Sequence, residues 1–231
     1  MSDEPWRNGE GSLFWQQDVK KVKGGPIRSM PKIPKTGWKP LPPDQWPNFK
    51  HAKKVAIDVG TEDPKLLTEG PGWARGDGEI VGISASVGRN NSIYLPIGHT
   101  IRAETNLERS KVLEWARDNL CTDALKIGAN LQYDIGWLRE EGVHVPGPYV
   151  DILNTERLID EILFSYSLDS VALKYLQEGK VAKKLYKWLA RYYGGKINGS
   201  QRANIYRSPA CLVGPYAEGD AWQPYLIHKQ Q

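Results

Sequence analysis

The chain has 231 residues, of which 40% are hydrophobic and 25% charged, and this composition is ordinary for a globular protein with one good core. No run approaches the ~20 apolar residues of a membrane-spanning helix, and the polar first four residues are unlike a signal peptide, so we expect a cytoplasmic protein without a membrane partner. The two cysteines, Cys121 and Cys211, have no metal-like spacing, which argues against a disulfide framework or a zinc site and favours two buried thiols.

Positive charge and proline are concentrated at the amino-terminal end. Eleven Lys/Arg and five Asp/Glu precede Val55, so this part carries a net charge of +6 and the remainder −2. We interpret residues 1–37 as a basic Pro/Gly-rich arm, either poorly ordered or docked, and residues 38–231 as the domain. The charge suits a polyanionic partner, although a solvated extension explains it equally well. The tryptophans Trp6, Trp15, Trp38 and Trp46 favour packing on the domain over stacking on nucleobases.

The first predicted strand contains a carboxylate at a critical place. Val55, Ala56 and Ile57 form an apolar run typical of a buried strand, and Asp58 follows directly, so we expect the strand to end in this acid. An acid at the end of a central strand is costly to bury unless a charged group meets it. A divalent metal ion is the usual partner.

Downstream, strand and helix patterns follow one another along the chain. Strands are predicted at residues 79–87, 92–97, 125–128 and 149–153. Helices are predicted after a Thr105–Glu108 capping box, over residues 131–141, after the cap Ser167, over residues 180–193, and after a Ser208-Pro209 cap, with a kink at Pro224. This order predicts an α/β domain with a mixed sheet flanked by helices.

Two of the predicted helices carry further acids. Asp134 falls in the first turn of the helix that Asn130 is placed to cap, where the helix dipole favours an anion. Tyr216 and Asp220 are four residues apart and therefore share one face of the last helix. Each feature alone is explained as a helix cap or a surface acid, so the argument for a site rests on their joint occurrence.

Together with Asp58, the stretches 130–134 (NLQYD) and 216–220 (YAEGD) resemble the three motifs of the ribonuclease-H-like 3′–5′ exonucleases, in the subgroup with a tyrosine four residues before the last aspartate. Residues 78–84 (GEIVGIS) and 95–99 (LPIGH) are similar to the proofreading domain of family A DNA polymerases, particularly those of phages. The resemblance runs from about Trp38 to the carboxyl terminus. It implies a ribonuclease-H-like mixed β-sheet flanked by α-helices, behind a Pro/Lys-rich amino-terminal extension.

The resemblance also implies a mechanism. Phosphodiester hydrolysis at the 3′ ends of single-stranded DNA would use two divalent ions, Mg²⁺ or Mn²⁺, with a polymerase domain or subunit as partner. Asp58 would bridge both ions, Asp220 would help hold the ion that activates water, and Asp134 would hold the other through water. Tyr216 would orient the attacking water. The implied substrate contacts are Gly60, Thr61, Asn130 and Tyr133.

The sequence departs from the family at Gly60. The family has a glutamate there, which ligates the water-activating ion, so we expect activity to be reduced or lost. Glu62 would lie on the same face of a straight strand but roughly 6.6 Å farther on, too far to replace the missing group without a bend. A second hypothesis is a catalytically inactive DNA-binding or polymerase-interaction module that keeps the fold. Ribonuclease activity is a third hypothesis, which the similarity of residues 78–99 to family A DNA polymerases disfavours.

Overall fold

One five-stranded sheet forms the centre of the domain, and the computed structural model describes it within residues 28–179 and 182–231. The strands are β1 (Lys54–Glu62), β2 (Glu79–Ser86), β3 (Ser92–Pro96), β4 (Leu125–Gly128) and β5 (Tyr149–Asp151). Their order across the sheet is β3-β2-β1-β4-β5. The pairs β1–β2 and β2–β3 are antiparallel, whereas β1–β4 and β4–β5 are parallel. The predicted mixed sheet is therefore confirmed.

Helices cover both faces of this sheet. They are α1 (Leu66–Glu69), α2 (Arg109–Leu120), α3 (Leu131–Glu140), α4 (Ile152–Ile159), α5 (Leu168–Leu176), α6 (Lys183–Tyr193) and α7 (Ala210–Ile227). None of the helices within the described ranges is long and apolar enough to cross a lipid bilayer.

Alternation along β1 decides which helices lie on which face. Val55, Ile57 and Val59 are buried in one core cluster with apolar residues of α2 and α3. Ala56 points the other way, into a second cluster with residues of α4, α5 and α7. Because successive side chains in a strand point to opposite faces, Asp58 lies on the face that α7 covers.

The strand that carries Asp58 is longer than predicted. β1 continues to Glu62, which pairs with Glu79, because the antiparallel partner β2 supplies a ladder over its whole length. The expectation that Asp58 ends the strand is therefore wrong, and the acid lies in its middle. The pairing has a bulge between Gly60 and Thr61, and bulges of this kind bend a sheet beside functional sites.

Two predicted helix starts are wrong in detail. Thr105 lies in a short 3₁₀ turn, where its hydroxyl donates to the carbonyl of Arg102, and α2 begins only after Glu108. Ser208 donates its hydroxyl to the carbonyl of Ile205, which leaves Pro209 at the cap position of α7. In both cases a local hydrogen bond between side chain and backbone competes with the capping role.

Other local expectations have mixed outcomes. Asn130 occupies the cap position of α3 as predicted, but its backbone is left-handed (φ 65°) and its side chain makes no capping hydrogen bond. α7 runs without interruption through Pro224 to Ile227. Both cysteines are free, but Cys121 is exposed and Cys211 only half-buried, so the expectation of buried thiols is wrong. The predicted helix over 180–193 begins at Lys183; residues 180–181 lie outside the described ranges.

The described part of the arm, residues 28–37, and Trp38 at the start of the domain dock on α6 and α7. The indole Nε1 of Trp38 donates to Glu218 Oε1 at 2.8 Å, and its ring packs on Tyr94 at a centroid distance of 5.9 Å. The guanidinium of Arg28 donates to the carbonyl of Ala190 at 3.1 Å. Trp46 packs edge-on against Trp115 on the other side of the domain. The expectation that tryptophans pack on the domain is confirmed for Trp38 and Trp46, whereas Trp6 and Trp15 lie outside the described residues.

Candidate active site

The first two acidic motifs meet at the middle of β1. Asp58 is half-buried and lies opposite Ser84 of β2. The next residue, Val59, donates its backbone N–H to Asp134 Oδ1 at 3.1 Å, so the first turn of α3 is fixed against β1. The structure therefore places Asp134 beside Asp58, although 75 residues separate them in sequence.

Asp134 lies within a cluster of negatively charged side chains. Its side chain is almost fully buried, and burial raises the pKa of this carboxyl well above its usual range. The nearby carboxylate of Asp58 raises the pKa further, with smaller contributions from Asp151 and Asp220, whereas the hydrogen bond from Val59 opposes the shift. Four acids from β1, α3, β5 and α7 thus interact through space.

Asp151 is the member of this group that sequence reasoning missed. Its Oδ2 accepts the backbone N–H of Leu131 at 3.0 Å, and its Oδ1 accepts those of Leu153 and Asn154 at the start of α4. The acid therefore caps two helices at once and supplies the capping bond that Asn130 does not make. An acid between a strand and a helix was the available signal, but nothing in the sequence shows that α3 also begins there.

The third motif reaches the same place from α7. Tyr216 and Asp220 are both buried, with 8% and 7% of their surface exposed, because α7 packs against the sheet and α6. Burial raises the pKa of the Tyr216 hydroxyl, and Asp220, Tyr186 and Asp58 raise it further. The hydroxyl is therefore protonated at neutral pH, and it lies between the acids of β1 and α7.

The backbone at Gly60 leaves room for a Cβ atom. A Cβ atom built there would have only ordinary contacts, at 3.8 Å from the hydroxyl of Tyr94 and 3.9 Å from the carbonyl of Gly82. Gly82 itself is required, because a Cβ atom there would collide with the ring of Tyr94. Tyr94 is fully buried and shares a 2.7 Å hydrogen bond with His99 Nε2. The space at Gly60 thus borders the buried, hydrogen-bonded pair of Tyr94 and His99.

Glu62 lies near Tyr206. Burial raises the pKa of Tyr206, and the nearby carboxylate of Glu62 raises it further. Tyr206 belongs to the 3₁₀ segment Gly199–Arg207, which packs along the end of β1. Glu62 therefore faces this segment, two residues beyond Gly60 along β1.

The predicted substrate contacts fall into two groups. Thr61 and Tyr133 share a 2.8 Å hydrogen bond, and the Tyr133 hydroxyl also donates to Asp63 Oδ2 at 3.0 Å. Burial raises the pKa of Tyr133 to about 12, so this network stays intact at neutral pH. Asn130 is exposed at the start of α3. The structure thus brings Gly60, Thr61 and Tyr133 to one border of the acids and Asn130 to the amino end of α3.

A second residue that sequence reasoning missed is Arg202. Its guanidinium lies beside the hydroxyl of Tyr186 on α6. Burial opposes its charge, but the neighbouring Tyr186, Tyr216 and Asp220 raise its pKa overall. Only the folding of the 3₁₀ segment onto α6 brings this cation to the site, and no spacing in the sequence signals it.

The donor set suits hard divalent cations. Carboxylate oxygens are the ligands that Mg²⁺ and Mn²⁺ prefer, and a cation would relieve the mutual repulsion that raises the pKa of Asp134. As the side chains stand, no three His, Cys, Asp or Glu residues in the described part of the chain form a ready-made metal cage. The residues therefore fit divalent ions by chemistry and by shared position, without a preformed cage.

The mixed sheet with helices on both faces, and acids gathered from β1, α3 and α7, define a ribonuclease-H-like fold of the kind found in nucleases. Solved structures of Brucella melitensis NrnC share it. NrnC bound to pGG matches with a TM-score of 0.51 and 16% identity over 79% of this chain and 74% of that chain. NrnC with bound Mg²⁺ matches with a TM-score of 0.50 and 17% identity over 80% and 75%. At such identity the likeness establishes the fold.

The sequence relatives are DNA polymerases. The DNA-directed DNA polymerase of Pseudomonas phage M6 is 34% identical over 188 residues, which are 80% of this chain and 27% of that protein. DNA polymerase DpoZ of Salmonella phage PMBT28 is 32% identical over 195 residues, with 80% and 28% covered. The chain thus spans little more than a quarter of these relatives. No protein-family model matches. The resemblance to the exonuclease domain of phage DNA polymerases is confirmed.

Proposed function

We propose that the chain is a metal-dependent 3′–5′ exonuclease domain that removes nucleotides from the 3′ ends of single-stranded DNA and proofreads for a DNA polymerase. The observation that carries this proposal is the convergence of Asp58, Asp134 and Asp220 with Tyr216, from three separate elements. The polymerase relatives support a replicative setting, and so do the nucleases that share the fold.

The acids are the groups that would hold the metal. Asp58, Asp134 and Asp220 would bind two divalent ions, Mg²⁺ or Mn²⁺. Ions of this kind supply a nucleophile from water at neutral pH and offset the charge that develops on the leaving oxygen. Asp58 would serve both ions, and its electrostatic influence on both Asp134 and Tyr216 supports this role.

Tyr216 contributes orientation. Its buried hydroxyl is protonated at neutral pH and lies beside Asp220, so it can donate a hydrogen bond to the attacking water and fix its direction. On the opposite border, the hydrogen bonds of Tyr133 to Thr61 and Asp63 hold the start of the cleft in one shape. Gly60, Thr61, Asn130 and Tyr133 would contact the terminal nucleotides there.

Gly60 reduces the activity in this proposal. We infer that the chain lacks one carboxylate and that Glu62, which lies near Tyr206, would not replace it. Losing a group that supports a metal site typically lowers affinity or activity ~10–100-fold. The same observation favours a second candidate function, an inactive DNA-binding or polymerase-interaction module that has kept the fold.

The proposal is tested by two substitutions with a matched control. Asp58→Ala and Asp220→Ala should abolish hydrolysis of a single-stranded oligonucleotide in Mn²⁺ while leaving the circular dichroism spectrum unchanged. Asp44→Ala removes an exposed acid outside the site and should leave the rate at the parent's value. Equal rates in all four proteins would refute the assignment of the site.

A further inference from the structure

Helix α6 has one strongly basic face. Lys183, Lys184, Lys187 and Arg191 are all exposed, and they lie within about a 100° arc because successive helical residues are turned by about 100°. The opposite face is buried and apolar, with Leu185 and Leu189 in the same core cluster as residues of α7. We call the four exposed cations the basic ridge.

The charge of the basic ridge is not neutralised within the protein. None of the ion pairs formed among the described residues involves any of these four side chains. Some other surface cations are paired, since Lys65, Arg89 and Lys174 each contact an acid. A solvated helix face commonly mixes both signs of charge, whereas α6 has no acidic residue at all.

The ridge is connected to the acids by direct packing. Tyr186, on the border of the ridge, packs against Tyr216 with a ring-centroid distance of 6.0 Å and tilted ring planes. The charge of Arg202, on the neighbouring 3₁₀ segment, is influenced by both tyrosines and by Asp220. The Tyr186–Tyr216 contact therefore links the exposed face of α6 to the third acidic motif, with Arg202 beside it.

The docked arm extends the same surface on the other side. Arg28 is held at the carboxyl end of α6 by its bonds to the carbonyls of Ala190 and Arg191. The indole of Trp188 donates to the carbonyl of Pro31 at 3.2 Å, which keeps the exposed Lys32 beside the helix. The positive field is thus broader than α6 alone.

A second concave surface beside the acids has no such charge. A groove of about 490 Å³ lies between α3, β5 and α4, and it borders Asp151. Its lining contains no lysine or arginine; the residues are Leu131, Gln132, Ile135, Tyr149, Val150, Asp151, Asn154, Thr155 and Leu158. Phosphates would find an acid there and no cation, so charge favours the α6 side.

We propose that the basic ridge, continued by Arg202, binds the phosphates of the single-stranded DNA that leads to the terminal nucleotide in the acidic site. This inference rests on the proposed function, because it takes the strand's 3′ end to lie at Asp58 and Asp220. Lysine and arginine contacts to phosphate release counterions, so the ridge makes binding strongly dependent on salt. The chemistry is that of an electrostatic track and carries no sequence preference.

The test compares two triple variants of the whole chain. Lys183→Gln/Lys184→Gln/Lys187→Gln removes three ridge cations. Lys50→Gln/Lys53→Gln/Lys54→Gln removes three exposed lysines near the amino end of β1, which also form no ion pair in the described structure. Binding of a labelled oligonucleotide of about 12 nucleotides is measured by fluorescence anisotropy in EDTA from about 0.05 to 0.3 M salt.

We expect the ridge variant to lose about 2 from the slope of log K against log salt, since each phosphate contact contributes about 0.7 for a single strand. This slope change makes binding 10- to 100-fold weaker at about 0.1 M salt. The control variant should keep the parent's slope. Equal losses in both variants, or no loss in either, would overturn the ridge as the binding surface.

A second readout separates this inference from the proposed function. With Mn²⁺, hydrolysis of the longer strand by the ridge variant should fall more than hydrolysis of a dinucleotide, which is too short to span the ridge. A parent chain that cleaves the dinucleotide but binds no longer strand overturns the ridge alone. If the parent binds the longer strand through the ridge, but neither the parent nor the Gly60→Glu variant cleaves any substrate, the proposed function alone is overturned.

Discussion

A Cβ atom built at Gly60 would lie 3.8 Å from the hydroxyl of Tyr94, with no closer neighbour. The backbone of β1 therefore accepts a Cβ atom at this position without a shift. The chain thus has no carboxylate at the position of the family's glutamate, although a Cβ atom would fit there. Its restoration is the most informative single change that the structure allows.

Gly60→Glu should raise the rate of single-strand hydrolysis by about 10- to 100-fold, because it returns an acid beside Asp58. Gly60→Ala is the matched control, since it fills the same Cβ position without a carboxylate and should keep the parent's rate. Single-turnover assays at saturating Mn²⁺ make the comparison. Equal acceleration by both variants would mean that backbone stiffening, and not the carboxylate, accounts for the gain.

Tyr216→Phe should lower the rate constant by ~100-fold while leaving the fold intact, because the ring still packs on Tyr186 and only the water-orienting hydroxyl is lost. Tyr225→Phe, on the same helix, should have no effect on the rate. Steady-state kinetics and thermal melts of both variants check this. If Tyr216→Phe keeps full activity, the hydroxyl has no role in orientation.

Metal binding should be visible without any catalysis. Mn²⁺ binds the native state and not the unfolded chain, so an excess of ~100 times its Kd should stabilise the parent by about 2.7 kcal/mol. Asp58→Ala should lose most of this gain in Tm, whereas Asp44→Ala should retain it. A gain of the same size in Asp58→Ala would show that the ion binds elsewhere.

His99 should make the fold sensitive to acid. Burial lowers the pKa of His99 to about 4, against an ordinary value of about 6.5, so the unfolded chain binds a proton over this interval and the native state does not. Stability from this group is complete above about pH 6.5 and falls by about 3 kcal/mol as the pH drops to about 4. Urea titrations from pH 7 to 4 should show this loss, and His99→Gln should flatten it. A parent curve as flat as the variant's would contradict the buried neutral imidazole.

The docking of Trp38, where the arm joins the domain, should contribute to stability. Trp38→Ala removes a ring that packs on Tyr94 and leaves the partly buried Glu218 without its indole donor, so we expect a loss of about 2–4 kcal/mol. Trp38→Phe keeps the ring and loses only the hydrogen bond, so its loss should be smaller. Urea unfolding of the two variants gives both values. Losses below about 0.5 kcal/mol in both would mean that the arm is not docked in solution.

Much of the fold was readable because apolar residues follow a helical period where one face is buried and form a continuous run where both faces are. The helix predicted over 131–141 is observed as Leu131–Glu140, and the run Val55–Ile57 lies in a strand, although that strand continues to Glu62. Cap positions were less predictable. Ser208 and Thr105 have capping chemistry, but each hydroxyl donates to the carbonyl three residues earlier, which competes with the capping role.

The acids of the site could be found from motif spacing, whereas their neighbours could not. Asp151 joins the group only because one carboxylate caps two helices that meet in space. Arg202 reaches Asp220 only because an irregular segment folds onto α6. Contacts of this kind depend on tertiary structure, and no local pattern encodes them.

The most direct test of the account is the order in which a labelled strand is shortened. Single-stranded DNA labelled at its 3′ or 5′ end is incubated in Mn²⁺ with the parent, Gly60→Glu and Asp58→Ala. The account predicts that Gly60→Glu releases the 3′ label first as a mononucleotide, that the parent does so far more slowly, and that Asp58→Ala releases none. Early release of the 5′ label, or no release by Gly60→Glu at any metal concentration, would contradict a 3′–5′ exonuclease site in this chain.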